Sequence, residues 1–224
     1  MTLTLYTFDW LPEFPRGFVR DLRVRWGLEE IGRSYQVATV PAHPKSAEHR
    51  KLQPFTQVPV IQDGEQTLFE SGAILVYLCE GTPLLPDERK AEIWQWLFAA
   101  LNTVELSVMH WVSMILAERV PEFFGPPPSA DVRAHAKADM DTKLTALQQA
   151  LGDKEWLAGD FSVADIAMVD VLRVVAAEEA LDAHPHLAAY VERATSRPAF
   201  KRAMADHMLH WQAADAEQAK RSAG

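Results

Sequence analysis

A single cysteine, Cys79, stands among 224 residues, so no internal disulfide can form; that usage fits a reducing compartment. Basic residues are in the minority, 22 against 31 acidic, and the net charge of −9 argues against wrapping nucleic acid. No apolar run approaches a membrane span. The opening Met1-Thr2-Leu3-Thr4-Leu5-Tyr6 lacks a basic segment followed by a long apolar one. No secretory leader is therefore expected, and the chain reads as cytoplasmic. Internal repeats and low-complexity tracts are absent as well. The histidine pairs His184/His186 and His207/His210 have no third ligand at a sensible spacing, so no metal site is expected. Cys79 lies among Leu75, Val76 and Leu78 and reads as a buried, inert thiol.

What is present is an ordinary globular composition, 48% hydrophobic and 24% charged, long enough for a sizeable core. Residues 1–80 alternate between strand and helix signals: a strand at 2–6, a helix at 18–31, a strand at 35–40, a short helix or turn at 46–52, a hairpin, and a helix from 71 to 80. The order β-α-β-α-β-β-α predicts an α/β domain in which a parallel pair gains an antiparallel hairpin. Gly81-Thr82-Pro83-Leu84-Leu85-Pro86 is a proline-punctuated linker, residues 81–86. Beyond it, 87–224 reads as an all-helical domain, with helices expected at 87–118, 130–151, 162–180, 186–196 and 198–216. Ser162 and Asp165 have the S-x-x-D spacing of a capping box, a structural feature.

The richest stretch is 55–74. Pro59 sits inside an apolar run where a missing N–H is normally unwelcome. A cis Val58–Pro59 bond resolves this, turning the chain and leaving the Val58 N–H and C=O free at a surface. Asp63-Gly64 marks a tight turn between Val60-Ile61 and Thr67-Leu68-Phe69. Ser71 then stands at the expected N-cap of a helix carrying Ile74, Leu75 and Leu78. An extended backbone edge beside a helix N-terminus, with the Glu70 carboxylate at the corner, suits a small peptide bearing both an amine and a carboxylate. Read without the hairpin, Glu70 and Ser71 are equally a capping pair.

These residues carry a resemblance. Arg23-Val24-Arg25-Trp26-Gly27-Leu28-Glu29-Glu30-Ile31-Gly32 is similar to the first helix of the cytosolic glutathione transferases. Gln57-Val58-Pro59-Val60 resembles their cis-proline motif, and Glu70-Ser71-Gly72-Ala73-Ile74 their γ-glutamyl-binding motif. Phe161-Ser162-Val163-Ala164-Asp165-Ile166-Ala167 resembles their capping box, and Arg197-Pro198-Ala199-Phe200 the start of their last helix. The resemblance implies a thioredoxin-like N-terminal domain followed by an all-helical bundle. It implies glutathione as co-substrate, held by Gln57, Val58, Pro59, Glu70 and Ser71, and its thiolate directed at a small apolar electrophile. It also implies a two-fold homodimer.

One part of the family pattern is missing. A free thiol with pKa near 8.5 needs a donor at the first helix to ionise at neutral pH. Neither serine nor cysteine occurs between Tyr6 and Asp21, and the connection 7–17 is longer than in the family. Arg16, Tyr6 and Thr7 are the candidate donors, in that order, together with the amides of Gly17 and Phe18. The arginines at 16, 20, 23 and 25 otherwise read as a solvated helix face. The electrophile pocket is expected from Trp10, Trp96, Ser107, His110 and Met114; the last four share with Ala100 and Thr103 a second stripe on the 87–118 helix, which should face either the α/β domain across a cleft or a partner subunit. The opposite stripe, Leu97, Leu101, Val108, Val112 and Ile115, is the expected core face. A glutathione-binding module without turnover, or a glutathione-dependent reductase or isomerase, are the alternative readings.

Overall fold

The computed structural model describes residues 2–223. The chain forms two compact units, Met1–Thr82 with Ser196–Gly224, and Pro83–Thr195. The first holds a four-stranded sheet in the order β2-β1-β3-β4. β1 (Leu3–Phe8) lies inside, parallel to β2 (Tyr35–Val40) and antiparallel to β3 (Val60–Asp63). β4 (Gln66–Phe69) closes the hairpin on β3, with Asp63 opposite Gln66. The turn residues are thus Gly64 and Glu65, one position later than Asp63-Gly64, and Gly64 takes φ +62, which a residue with a Cβ adopts reluctantly. β1 alternates as a half-buried strand should: Leu3, Leu5 and Thr7 are buried, while Thr4, Tyr6 and Phe8 are half-buried. The strand runs two residues beyond the expected end, so Thr7 and Phe8 belong to the sheet and not to the loop after it.

Helices α1 (Asp21–Glu30) and α3 (Ser71–Cys79) pack against each other closely. A Cβ on Gly27 would stand 2.7 Å from Leu75 Cδ2, so any larger residue at 27 would require the end of the Leu75 side chain to shift. Cys79 is buried in this contact, and burial, followed by the nearby Glu30 charge, pushes its thiol up to about 12. That thiol is inert. The short α2 (Ala47–Leu52) joins β2 to the hairpin.

The last helix, α10 (Pro198–Ala223), belongs to this first unit, whereas the sequence pattern assigns everything from 87 onward to the helical domain. It lies along α1. Trp26 and Phe200 meet edge to face at 4.8 Å, and Arg197 grips Glu30 with two bonds of 2.7 and 2.8 Å. Every residue of α1 from Asp21 to Leu28 is buried in consequence. The expected solvated arginine face does not exist at Arg23 and Arg25, which are 2% and 0% exposed. Arg25 instead donates to Asp21 Oδ2 at 2.8 Å and to Asp206 on α10. His207 Nδ1 lies 3.3 Å from the same Asp21 oxygen, and Trp211 donates to His207 Nε2 at 3.0 Å. The Trp211 donor requires a lone pair on Nε2, so the proton sits on Nδ1 and is directed at Asp21.

The second unit is all helical. The expected single helix at 87–118 is interrupted: a 3₁₀ turn at Asp87–Arg89 leads into α4 (Lys90–Ala99), a π turn occupies Ala100–Val104, and α5 (Glu105–Arg119) follows. A π turn takes an extra residue and rotates everything after it. The buried positions are Ile93, Leu97, Ala100, Val104, Ser107, Val108, Trp111, Val112, Leu116 and Ala117, drawn from both expected stripes. By length and composition the run Asp87–Arg119 does qualify as a possible membrane span, which corrects the reading that no apolar run approaches one. Its buried residues line the core of this unit. α6 (Pro121–Phe124), α7 (Ala130–Leu151), α8 (Val163–Ala177) and α9 (Pro185–Thr195) complete it. The capping box is present at the start of α8, where the Asp165 carboxylate accepts the Ser162 N–H at 2.9 Å.

Candidate functional site

At the C-terminal end of β1 the first unit gathers the chain reversal before β3 and the start of α3. The Val58–Pro59 bond is cis, as are Phe14–Pro15 and His43–Pro44. The Val58 side chain is buried in an apolar cluster with Val19, Val40 and Trp211, against which Tyr6, Phe8, Leu11, Leu52 and Met208 pack. Gln57 is exposed. Its N–H donates to Gln53 Oε1 at 3.3 Å, and His49 Nε2 lies 3.0 Å from its carbonyl. Lys45 Nζ stands 4.3 Å from the Phe8 ring centroid, and burial lowers its pKa. Sequence reasoning passed over this lysine, which brings a positive charge to the cluster holding Val58.

The second half of the site is the α3 N-terminus. Glu70, not Ser71, occupies the cap position, with φ +71 and ψ 114, a conformation unusual for a residue with a Cβ. Ser71 is the first helical residue and is buried, while Glu70 is exposed. The first intrahelical bond runs from Ile74 N–H to the Glu70 carbonyl at 2.9 Å. The amides before it carry the positive end of the helix dipole. Arg23 adds a full charge beneath them, its Nη1 donating to Ser71 Oγ at 3.3 Å inside the protein. An exposed carboxylate at the corner and a buried guanidinium under the hydroxyl make a bipolar cradle. It can take a cation at Glu70 and an anion at Ser71.

The expected thiol donors are placed otherwise. Arg16 is tied down: Nε and Nη2 donate to the Leu11 carbonyl at 3.0 and 2.6 Å, and Nη1 and Nη2 to Asp215 at 2.6 Å each. Its guanidinium also lies over Trp10 and Trp211, at 5.9 and 5.6 Å from their centroids. Tyr6 donates to Gln62 Oε1 at 2.5 Å. Gln62 is paired with Thr4, so this hydroxyl points back along the sheet and away from Pro59. Thr7 is fully buried and its hydroxyl has no partner among the described residues. The Phe18 amide already donates to the Pro15 carbonyl at 3.0 Å. Trp10 donates to Asp215 Oδ1 at 2.9 Å and lines a cavity of about 240 Å³ with Thr39, His210 and Ala213.

The Asp215 carboxyl is pulled down to about 2, first by the Arg16 bond and then by Trp10. A depressed carboxyl contributes stability above its ordinary value near 3.8, lost as pH falls through about 2. Acid titration should therefore release Trp10 from α10 as pH falls through about 2, read as a change in tryptophan fluorescence that Arg16→Ala moves to higher pH. The same Arg16→Ala change should leave the titration of bound glutathione thiol unaltered, because its donors are already spent within the protein.

The comparisons agree with the fold, a thioredoxin-like first unit and a helical second one. The profile "Glutathione S-transferase, N-terminal domain" matches residues 1–80 and "Glutathione S-transferase, C-terminal domain" matches 108–198. Glutathione S-transferase 3 of Zea mays is 31% identical over 199 residues, spanning 82% of this chain and 88% of its own. The chain belongs to the glutathione S-transferase family. A probable transferase, GSTF2 of Oryza sativa subsp. japonica, is 31% identical over 183 residues, 76% of this chain and 84% of its own. Among solved structures, glutathione S-transferase I from maize, in complex with an atrazine glutathione conjugate, superposes with a TM-score of 0.74 at 26% identity. That match covers 92% of this chain and 97% of the maize chain.

In the helical unit of this transferase, the residues expected to line an electrophile pocket do not share one face. Ser107 is buried and donates to the Val104 carbonyl at 3.0 Å, and Ala100 is in the core. Trp96 and Met114 are half-buried, while Thr103 and His110 are exposed. Lys154 Nζ lies 5.8 Å from the Trp96 ring. The π turn at 100–104 scatters them. The functional residue most clearly missed is Arg23. Its place in a run of arginines was visible, but burial distinguishes it from Arg20, which is exposed.

Proposed function

We propose that the protein binds glutathione in the first unit and transfers its thiolate to a small apolar electrophile. In this reading the cysteinyl backbone of glutathione adds to Val58 like a short antiparallel strand. The γ-glutamyl carboxylate takes the Ser71 hydroxyl and the α3 amides, and its ammonium pairs with Glu70. The supporting observation is the buried Arg23 guanidinium donating to Ser71 Oγ at 3.3 Å, which adds positive charge beneath the place of the carboxylate. Lys45 is a further charge for the peptide's other carboxylate. In the first unit, Trp10, 36% exposed, is the apolar side chain offered to the electrophile. With Arg16, Tyr6 and Thr7 spent or buried, thiol ionisation falls to the electropositive start of α1.

That last point also favours a second reading, a glutathione-binding module without turnover, since none of the named side chains is free to meet the thiol. Retention on immobilised glutathione together with turnover of a chloro-nitroaromatic substrate is the expected result. Retention with no turnover on a broad panel of electrophiles would select the module. A glutathione-dependent reductase is disfavoured by the lack of a cysteine at the N-terminal end of α1, since Cys79, packed deeper against that helix, is buried.

A homodimer is part of the same proposal. Apolar residues lie exposed on each unit: Phe55, 66% exposed, on the first, and Phe98 and Leu106, 57% and 70%, on the second. Such residues mark association surfaces when they cluster. Sedimentation at micromolar concentration should give twice the chain mass, and a monomer there would end the dimer proposal.

A further inference from the structure

We infer that His49 is a positioning residue for glutathione, holding the Gln57 backbone inward so that the Val58 N–H and C=O face the peptide. The inference rests on the reading of Val58 as the glutathione-binding edge. His49 is fully buried on α2, and its own N–H is held by the cap residue Ser46 at 3.0 Å. Its Nε2 is 3.0 Å from the Gln57 carbonyl oxygen. A carbonyl only accepts, so Nε2 carries the proton and Nδ1 of the neutral ring is left as a lone pair. That Nδ1 is buried with no partner among the described residues. A buried polar atom without a partner is destabilising, and an apolar side chain beside Phe8, 6.2 Å away edge-on, would fill the space without that loss. The donor on the other side of the ring is the reason for a histidine here.

Gln53, just past α2 and 2% exposed, completes the hold. Its N–H donates to the His49 carbonyl at 2.9 Å, and its own carbonyl accepts the Thr56 N–H at 3.1 Å. Its Oε1 accepts the Gln57 N–H at 3.3 Å. Both polar groups of the Gln57 backbone are therefore taken inward by side chains. The Val58 N–H and C=O have no hydrogen-bond partner among the described residues, while its side chain is buried and that of Gln57 is exposed. His49 and Gln53 thus set which peptide groups a ligand meets, without touching it.

The test compares wild type with His49→Phe, His49→Gln, Gln53→Leu and Gln53→Glu. Each is assayed for glutathione Kd, for KM and kcat with a chloro-nitroaromatic substrate, and for thermal melting. His49→Phe and Gln53→Leu should raise Kd and KM for glutathione about 10-fold, with kcat at saturation within about twofold. His49→Gln and Gln53→Glu, which restore a donor and an acceptor, should return both to within about threefold. A purely structural role would lower melting and the active fraction without this split and without rescue. Should His49→Phe fail to fold, the two Gln53 variants test the same hold on the Gln57 backbone from its N–H side. Glutathione binding within about twofold of wild type in a folded His49→Phe or Gln53→Leu protein would overturn the positioning role alone. Wild type that does not bind glutathione would overturn the site assignment, and this inference with it.

Discussion

Joint replacement of Glu70 and Ser71 by alanine is expected to weaken glutathione binding at least about 100-fold and to abolish retention on glutathione resin. Each change removes a charge-assisted bond to the ligand, and such bonds contribute roughly 1.5–3 kcal/mol apiece. Ser71→Ala also leaves the Arg23 guanidinium without the hydroxyl it meets at 3.3 Å, inside the protein. Ser71→Thr keeps that oxygen and should retain most of the affinity. Glu70 is exposed, so Glu70→Ala alone should melt close to wild type and report on binding only. Isothermal titration with glutathione, alongside melting curves, reads both quantities. Affinity near wild type in the double variant would remove the α3 terminus from the site.

Asp165→Ala is expected to be the most damaging single change to the fold, costing about 3–5 kcal/mol. The carboxylate accepts from the Leu157 N–H at 3.0 Å, the Ser162 N–H at 2.9 Å, the Ser162 hydroxyl at 2.8 Å and the Tyr190 hydroxyl at 2.7 Å. One side chain thereby joins the loop before α8, the α8 start and α9. Burial raises its pKa, against the lowering by those same four donors, so the site holds a charge at real desolvation cost. Removal leaves every donor buried and unpaired beside the Trp156–Phe161 ring pair at 4.9 Å. Asn supplies a single acceptor oxygen and an NH₂ facing other donors, so Asp165→Asn should fall nearly as far. Calorimetry should show a melting temperature lower by about 10 °C, at 2–4 °C per kcal/mol for a chain of this size. A loss under about 1 kcal/mol would mean the helical unit does not depend on this capping box.

The features legible in the sequence are those whose chemistry is complete within a few residues. Proline in an apolar run before a hairpin announced the cis corner at Val58–Pro59. The spacing of Ser162 and Asp165 announced the box, and the alternation in 1–80 announced the order of elements along the chain, β-α-β-α-β-β-α. Glu70 and Ser71 were identified together, although the backbone assigns the cap to Glu70. Burial of Cys79 followed from its apolar neighbours alone.

Tertiary structure decided the rest, because the partners involved are far apart in the chain. Arg16 is at the loop where a thiol donor was sought, but Asp215, 199 residues away, takes its guanidinium. Arg25 looks solvent-facing by spacing until Asp206, 181 residues on, meets it from α10. A salt bridge leaves no periodic signal at such separations; only the folding of α10 back onto α1 brings the charges together. The π turn at Ala100–Val104 is a different case. A 3.6-residue period assumes an unbroken helix, and one extra residue in the middle rotates every later side chain to another face. Local sequence thus determined which residues form the corner proposed for glutathione, and long-range packing determined which charges surround it.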